Sequence, residues 1–102
     1  MPVYNEAAFI ERSLGAVLAQ LYPARRLEVL VVDGGSTDAT TALVAAIAAR
    51  DKRVRLLHNP RRIQAAAMNI ALDHAQGDVI VRVDGHTIIA ADYVRQCVDR
   101  LR

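Results

Sequence analysis

Apolar residues recur along this chain with two periods, and their alternation predicts layers of helices on strands. Over 6–21, Ile10, Leu14, Val17, Leu18 and Leu21 fall at helical spacing and define one buried face. Asn5 is placed to cap that helix, Glu6 sits against its positive end, and Tyr22-Pro23 stops it. Leu27 to Val32 is a short, almost continuous apolar run, the pattern of a buried parallel strand. Gly34-Gly35 gives a turn. Ser36, Thr37 or Asp38 can then cap a second helix running to about Arg50, with Thr40, Leu43, Val44 and Ile47 inward.

Val54 to Leu57 is a third apolar segment, short and flanked by arginines, which suits an outer strand. A loop at His58-Asn59-Pro60-Arg61-Arg62 leads to a helix from Ile63 to about Ala75, closed by Gln76-Gly77 with the glycine in a left-handed cap. Val79 to Val83 reads as the next strand. Ala91 to Leu101 reads as a last helix with Val94, Cys97, Val98 and Leu101 inward. Short apolar strands alternating with helices predict a parallel α/β sheet. A first strand should be finishing at Met1-Pro2-Val3, and a strand wants about five residues. Either the sheet lacks most of that strand or the sequence is a portion of something longer.

Length and composition narrow the class. At 102 residues the chain is one domain at most, and 53% apolar content is too high for disorder. Much of that content is alanine, so the four aromatic rings, Tyr4, Phe9, Tyr22 and Tyr93, carry unusual weight. A net charge of +2 with interspersed signs argues against nucleic acid as a partner. The single Cys97 excludes an internal disulfide and a cysteine-based zinc site, which fits a reducing, cytoplasmic setting. No signal peptide stands at the start, and the longest apolar run, Ala42 to Ala49, is too short to span a bilayer. Neither G-x-G-x-x-G after a strand, nor G-K-[ST], nor G-x-S-x-G occurs, so dinucleotide binding, P-loop NTPase and hydrolase readings lack their motifs.

Candidate chemistry gathers where two strands end in aspartate: Val32-Asp33-Gly34-Gly35-Ser36-Thr37-Asp38 and Val83-Asp84-Gly85-His86. Open α/β sheets bind ligands at the carboxyl ends of their strands. With Pro2-Val3-Tyr4-Asn5-Glu6 and Ala67-Met68-Asn69-Ile70-Ala71, these strings resemble, in order and spacing, the nucleotide-binding half of family 2 glycosyltransferases. Those are inverting enzymes of the GT-A fold. The resemblance covers essentially the whole chain, read as one partial GT-A domain over 1–102, truncated and with its first strand largely missing.

The resemblance implies a site. Tyr4 would line the base pocket, against the alternative of a half-buried ring packing on its own helix, and Glu6 would join it. Asp33 would accept a base N–H, uracil's above all; its alternative is to cap the following turn. The family often has a second aspartate where this chain has Gly34. Asp38 reads as structural. Asp84 would ligate a divalent cation, Mn²⁺ or Mg²⁺, that stabilises the leaving diphosphate, or meet the ribose. His86 replaces a usual carboxylate there and hints at manganese, against a purely local bond. Arg82 shares a side with Asp84, and if buried needs a carboxylate or phosphate. Arg62, with Arg61, can reach the nucleotide, although a solvated loop pair is the more ordinary reading.

Function follows as an expectation: binding of a nucleotide-diphosphate sugar, UDP-sugar favoured, for inverting transfer to a saccharide or lipid-linked acceptor. Asp-Gly-His in this place resembles, more loosely, bacterial exopolysaccharide (succinoglycan-type) transferases, which implies work at the inner face of the cell membrane in the complete protein. The family carries its general base in the half that follows, so the alternative is a non-catalytic nucleotide-binding module or an inactive gene fragment. Exposed strand edges would favour self-association.

Overall fold

In the computed structural model, residues 1–61 and 64–101 are described. Strands β1 (Pro2–Val3), β2 (Val29–Asp33) and β3 (Val54–His58) form a parallel sheet in the order β1-β2-β3. The register pairs Val29 with Val54 through to Asp33 with His58, while Pro2 and Val3 lie opposite Val32 and Asp33. All five residues of β2 are buried, as its unbroken apolar run requires of a central strand. β3 is an outer strand, as its flanking arginines suggest.

Helices α1 (Ile10–Leu18), α2 (Thr40–Arg50), α3 (Gln64–His74) and α4 (Tyr93–Arg100) complete the fold. Successive residues of β2 face opposite ways. Val29 and Val31 join Ile10, Leu14, Val17, Val44 and Ile47 in one core, while α3 packs on β2 and β1 with Ala67 buried. The parallel α/β layering and the short first strand both stand as the sequence predicts.

Several local expectations are corrected. α1 starts at Ile10, not at residue 6, because Asn5 adopts a left-handed backbone (φ 50°) and its side chain serves a different loop. It ends at Leu18, and Leu21 lies outside it, exposed. α2 begins at Thr40, with Asp38 still accepting from the Thr40 amide at 2.9 Å. Gly77 does not take a left-handed cap: among the described glycines only Gly35 has positive φ. In α4, Val94 and Val98 are buried, but Leu101 lies past the helix end and is exposed. Ile63 falls outside the described residues.

The largest correction is at Val79–Val83, which forms no ladder. The cause lies in the neighbour. β1 spends Met1 and Val3 on β2, through Met1 N–H to Leu30 C=O, Val32 N–H to Met1 C=O and Gly34 N–H to Val3 C=O. Its outer edge therefore falls to Pro2, which has no N–H to give. An extended apolar segment beside so short an edge has almost nothing to pair with.

Candidate functional site

Two loops at the carboxyl end of the sheet are bonded to each other. Asn5 Oδ1 accepts from the amides of Thr37 (2.8 Å) and Asp38 (3.4 Å), and the Asn5 amide donates to Ser36 Oγ (2.9 Å). The Glu6 amide donates to Thr40 Oγ1 (2.8 Å), and the Ala7 amide to Asp38 Oδ2 (3.2 Å). Thr40 Oγ1 in turn bonds Asp38 Oδ1. Asparagine tolerates a left-handed backbone better than most residues, so one side chain both makes the bend and ties it down. These bonds hold the Asp38 carboxyl below its usual range, the Thr40 hydroxyl first among them.

Asp33 is enclosed by the second loop. Its Oδ2 accepts from the amides of Gly35 (2.9 Å) and Ser36 (3.1 Å), and its Oδ1 from Ser36 Oγ (2.5 Å). With 2% exposure it acts as the turn's internal acceptor, so the capping alternative is what this geometry displays. Oδ1 accepts from the Ser36 hydroxyl, and a carboxylate oxygen offers two lone-pair directions.

A cleft of about 110 Å³ opens beside these loops, lined among others by Tyr4, Glu6, Gly34, Asp84, Gly85 and His86. Four predicted residues, Tyr4, Glu6, Asp84 and His86, thus meet from two segments about eighty positions apart. Asp33 is one layer back, represented at the cleft by Gly34. Arg62 lies outside the described residues. Gly85 has to be glycine here: a Cβ would come within 2.9 Å of Val3 Cγ1 and 3.0 Å of Glu6 Cγ.

The cleft's ionisable groups are paired. His86 Nδ1 lies 3.4 Å from Glu6 Oε1, and Arg82 lies 3.3 Å from Asp84 Oδ1. Arg82 is therefore half-exposed beside a carboxylate, not buried as a lone charge. No group of three or more His, Cys, Asp or Glu side chains among the described residues is gathered to hold a metal ion. Asp84 and His86 line the cleft together with Glu6, which faces the imidazole, and a carboxylate with an imidazole is a donor set that suits an ion whose remaining ligands are phosphate oxygens and water.

A larger hollow of about 770 Å³ lies toward the amino ends of the strands, lined by Met1, Leu30, Val81, Val83 and other mostly apolar residues. Volume favours that hollow, but the smaller cleft holds the convergent polar groups, and chemistry decides between them. Sequence reasoning missed Asn5 and Thr40 as loop ties, and also Ser13. A signal for Ser13 was there: it sits one position before Leu14 and three after Ile10, a hydroxyl on an otherwise apolar stripe.

Comparison with known proteins gives the family and the fold. The family model described as glycosyl transferase family 2 matches residues 1–102. The chain belongs to that family. It is 38% identical over 101 residues to the succinoglycan biosynthesis protein ExoA of Rhizobium meliloti, covering 97% of this chain and 30% of that protein. The mannosyltransferase PcManGT of Pyrobaculum calidifontis, solved with GDP-Man and Mn²⁺, superposes with a TM-score of 0.90 at 38% identity, over 98% of this chain and 30% of that one. Staphylococcus aureus TarS in complex with UDP superposes at 0.82 with 24% identity, over 96% and 29%, which shows the shared GT-A fold. The chain thus spans about a third of the length of such relatives. No helix among the described residues is long and apolar enough to cross a membrane.

Proposed function

We propose that this chain is the donor-binding half of a GT-A glycosyltransferase domain, and that the cleft between the Tyr4–Glu6 loop and the Asp84–His86 turn takes a nucleoside-diphosphate sugar. The observation that carries this is the meeting of Tyr4, Glu6, Asp84 and His86 in one cleft at the carboxyl end of a parallel sheet. About 110 Å³ accommodates part of such a ligand. The diphosphate lies at the Asp84–His86 turn, with the base over Tyr4 and Gly34 and in reach of Asp33; Arg62, outside the described residues, is a further candidate contact to the nucleotide. A stacked base contributes about 1–3 kcal/mol.

Asp84 and the ring nitrogen of His86 that does not face Glu6 would hold a divalent ion, Mn²⁺ in preference to Mg²⁺. When bound, that ion supplies charge stabilisation to the departing diphosphate. Glu6 orients the imidazole, the usual arrangement of a carboxylate behind a histidine ligand. Uracil is the base favoured by a carboxylate acceptor, and guanine is the rival, since its ring N–H donates in the same way. The complete protein would pass the sugar, with inversion, to a saccharide or lipid-linked acceptor in polysaccharide synthesis at the inner membrane face. Strand edges left open at the amino end favour self-association of this chain.

The test is a thermal melt with UDP or GDP, with and without Mn²⁺. A ligand that binds only the folded chain, at about 100 times its dissociation constant, adds about 2.7 kcal/mol. A manganese-dependent rise with one nucleotide, lost in Asp84→Ala, is expected. A cooperative melt indifferent to both nucleotides would overturn the reading in favour of a binding-dead module.

A further inference from the structure

The buried stripe of α1 carries a hydroxyl that reaches the candidate site from behind. Ser13, fully buried, donates to the Gly85 carbonyl at 2.7 Å and lies 3.3 Å from the Ile10 carbonyl of its own helix. A serine in a helix can satisfy itself on its own backbone. Here the shorter contact is the one that crosses 72 positions of sequence. One hydroxyl has one hydrogen, and the geometry gives it to Gly85.

That bond has a directional consequence. The C=O and the following N–H of a trans peptide point opposite ways, and no peptide bond among the described residues is cis. With the Gly85 carbonyl aimed at Ser13 in the interior, the His86 N–H is aimed away from it, on the side where Gly85 and His86 line the cleft. The turn is braced from other directions too. The Thr87 amide donates to the Asp84 carbonyl at 3.1 Å, and the face of Gly85 lies against Val3 and Glu6 with no room for a Cβ.

We propose that Ser13 is a positioning residue for the donor site: its hydroxyl locks the Gly85–His86 peptide so that the Asp84 carboxylate and the His86 N–H face the cleft together. This rests on the donor-binding reading above. Both groups would then meet the same diphosphate, a backbone donor beside a carboxylate-held cation. Seven positions on, just past the end of α1, Gln20 makes a similar latch, donating to the Ala90 carbonyl (2.7 Å) and accepting from the Val94 amide (2.9 Å). It holds the start of α4 and has no contact with the turn in that role, which makes it the control.

The experiment compares Ser13→Ala, Ser13→Cys, which keeps the volume and weakens the donor, Ser13→Thr and Gln20→Met in the whole 102-residue chain. Two quantities are read: Mn²⁺-dependent affinity for UDP and GDP by calorimetry, and amide hydrogen exchange at Thr87 without nucleotide. Ser13→Ala and Ser13→Cys should bind roughly tenfold more weakly and exchange faster at Thr87, with exchange in β2 unchanged. Ser13→Thr should restore both. Gln20→Met should melt earlier yet bind like the parent. Parental affinity in a folded Ser13→Ala or Ser13→Cys variant, or an equal loss in Gln20→Met, would overturn the proposal. If the parent chain binds neither nucleotide, the donor reading has failed. Thr87 exchange then decides alone: faster exchange upholds the lock, and unchanged exchange removes it.

Discussion

The two ends of the sheet are built on opposite principles. At the carboxyl end, side chains of Asn5, Ser36, Asp38 and Thr40 bind the backbone of the facing loop, and Ser13 adds a further tie from below. At the amino end a hollow of about 770 Å³ separates the start of β2 from Val79–Val83, and the Met1 ammonium is held by a single bond to the Leu30 carbonyl. The polar end is closely tied and the apolar end is loosely filled. A ligand site needs backbone groups held in place before the ligand arrives, and directional bonds do that where apolar contact does not. The order of this fold is therefore concentrated where its candidate chemistry is.

The most severe way to break that contrast is to cut one tie at the carboxyl end. Thr40 is fully buried and serves both loops, taking the Glu6 amide and bonding the Asp38 carboxylate. Thr40→Val keeps the shape and removes the hydroxyl, leaving a partly buried amide without its acceptor. The expected cost is about 1–3 kcal/mol in urea unfolding with an unchanged m-value. Nucleotide affinity should fall as well, since Glu6 lines the cleft. Unchanged stability would mean that the loops do not depend on this tie.

Burial patterns were legible; hydrogen-bond destinations were not. The apolar run through Val29–Val32 announced a central strand, and the inward sides of α1 and α2 follow from spacing at Ile10, Leu14, Val44 and Ile47. Periodicity reports which side of an element meets the core. It says nothing about whether Asn5 caps its own helix or reaches 32 positions along the chain to Thr37. The segment Val79–Val83 failed for a related reason: strand propensity is only realised against an edge, and Pro2 withholds the donor that edge requires. The candidates Tyr4, Glu6, Asp84 and His86, which share one cleft, were named because a motif picks out positions, while Ser13 carries no motif at all.

A milder probe addresses the amino end through pH. Burial lowers the Met1 ammonium from its ordinary value of 8.0 to about 6, with nearby Arg82 pushing the same way and Asp84 opposing. The unfolded chain then binds more protons than the folded one between pH 6 and pH 8, so stability should rise with pH across that window. Below pH 6 both states hold the proton and the penalty is complete; above pH 8 neither does. The full change across that window is on the order of 3 kcal/mol. Urea unfolding of the chain with Met1 retained, at pH 6 and pH 8, measures it. An N-acetylated chain keeps the N–H for Leu30 and loses the charge, so its profile should lack this rise. Equal slopes in the two chains would show that water reaches the amine and that the amino end is more open still.

The smallest effect on the monomer should accompany a change visible only between molecules. Ile80 lines the hollow and is 44% exposed, on an extended segment without a ladder partner. Ile80→Lys removes little buried area, so monomer stability should stay within about 0.5 kcal/mol of the parent. A lysine on an open edge nevertheless opposes pairing with another chain. The parent's melting temperature should therefore climb with protein concentration, and that of Ile80→Lys should not. A parent melt independent of concentration would sink self-association at this edge, and the amino end would then be loose without being adhesive. A variant that still climbs would move the contact elsewhere, with the strongly exposed Leu21 and Ile88 the next places to substitute.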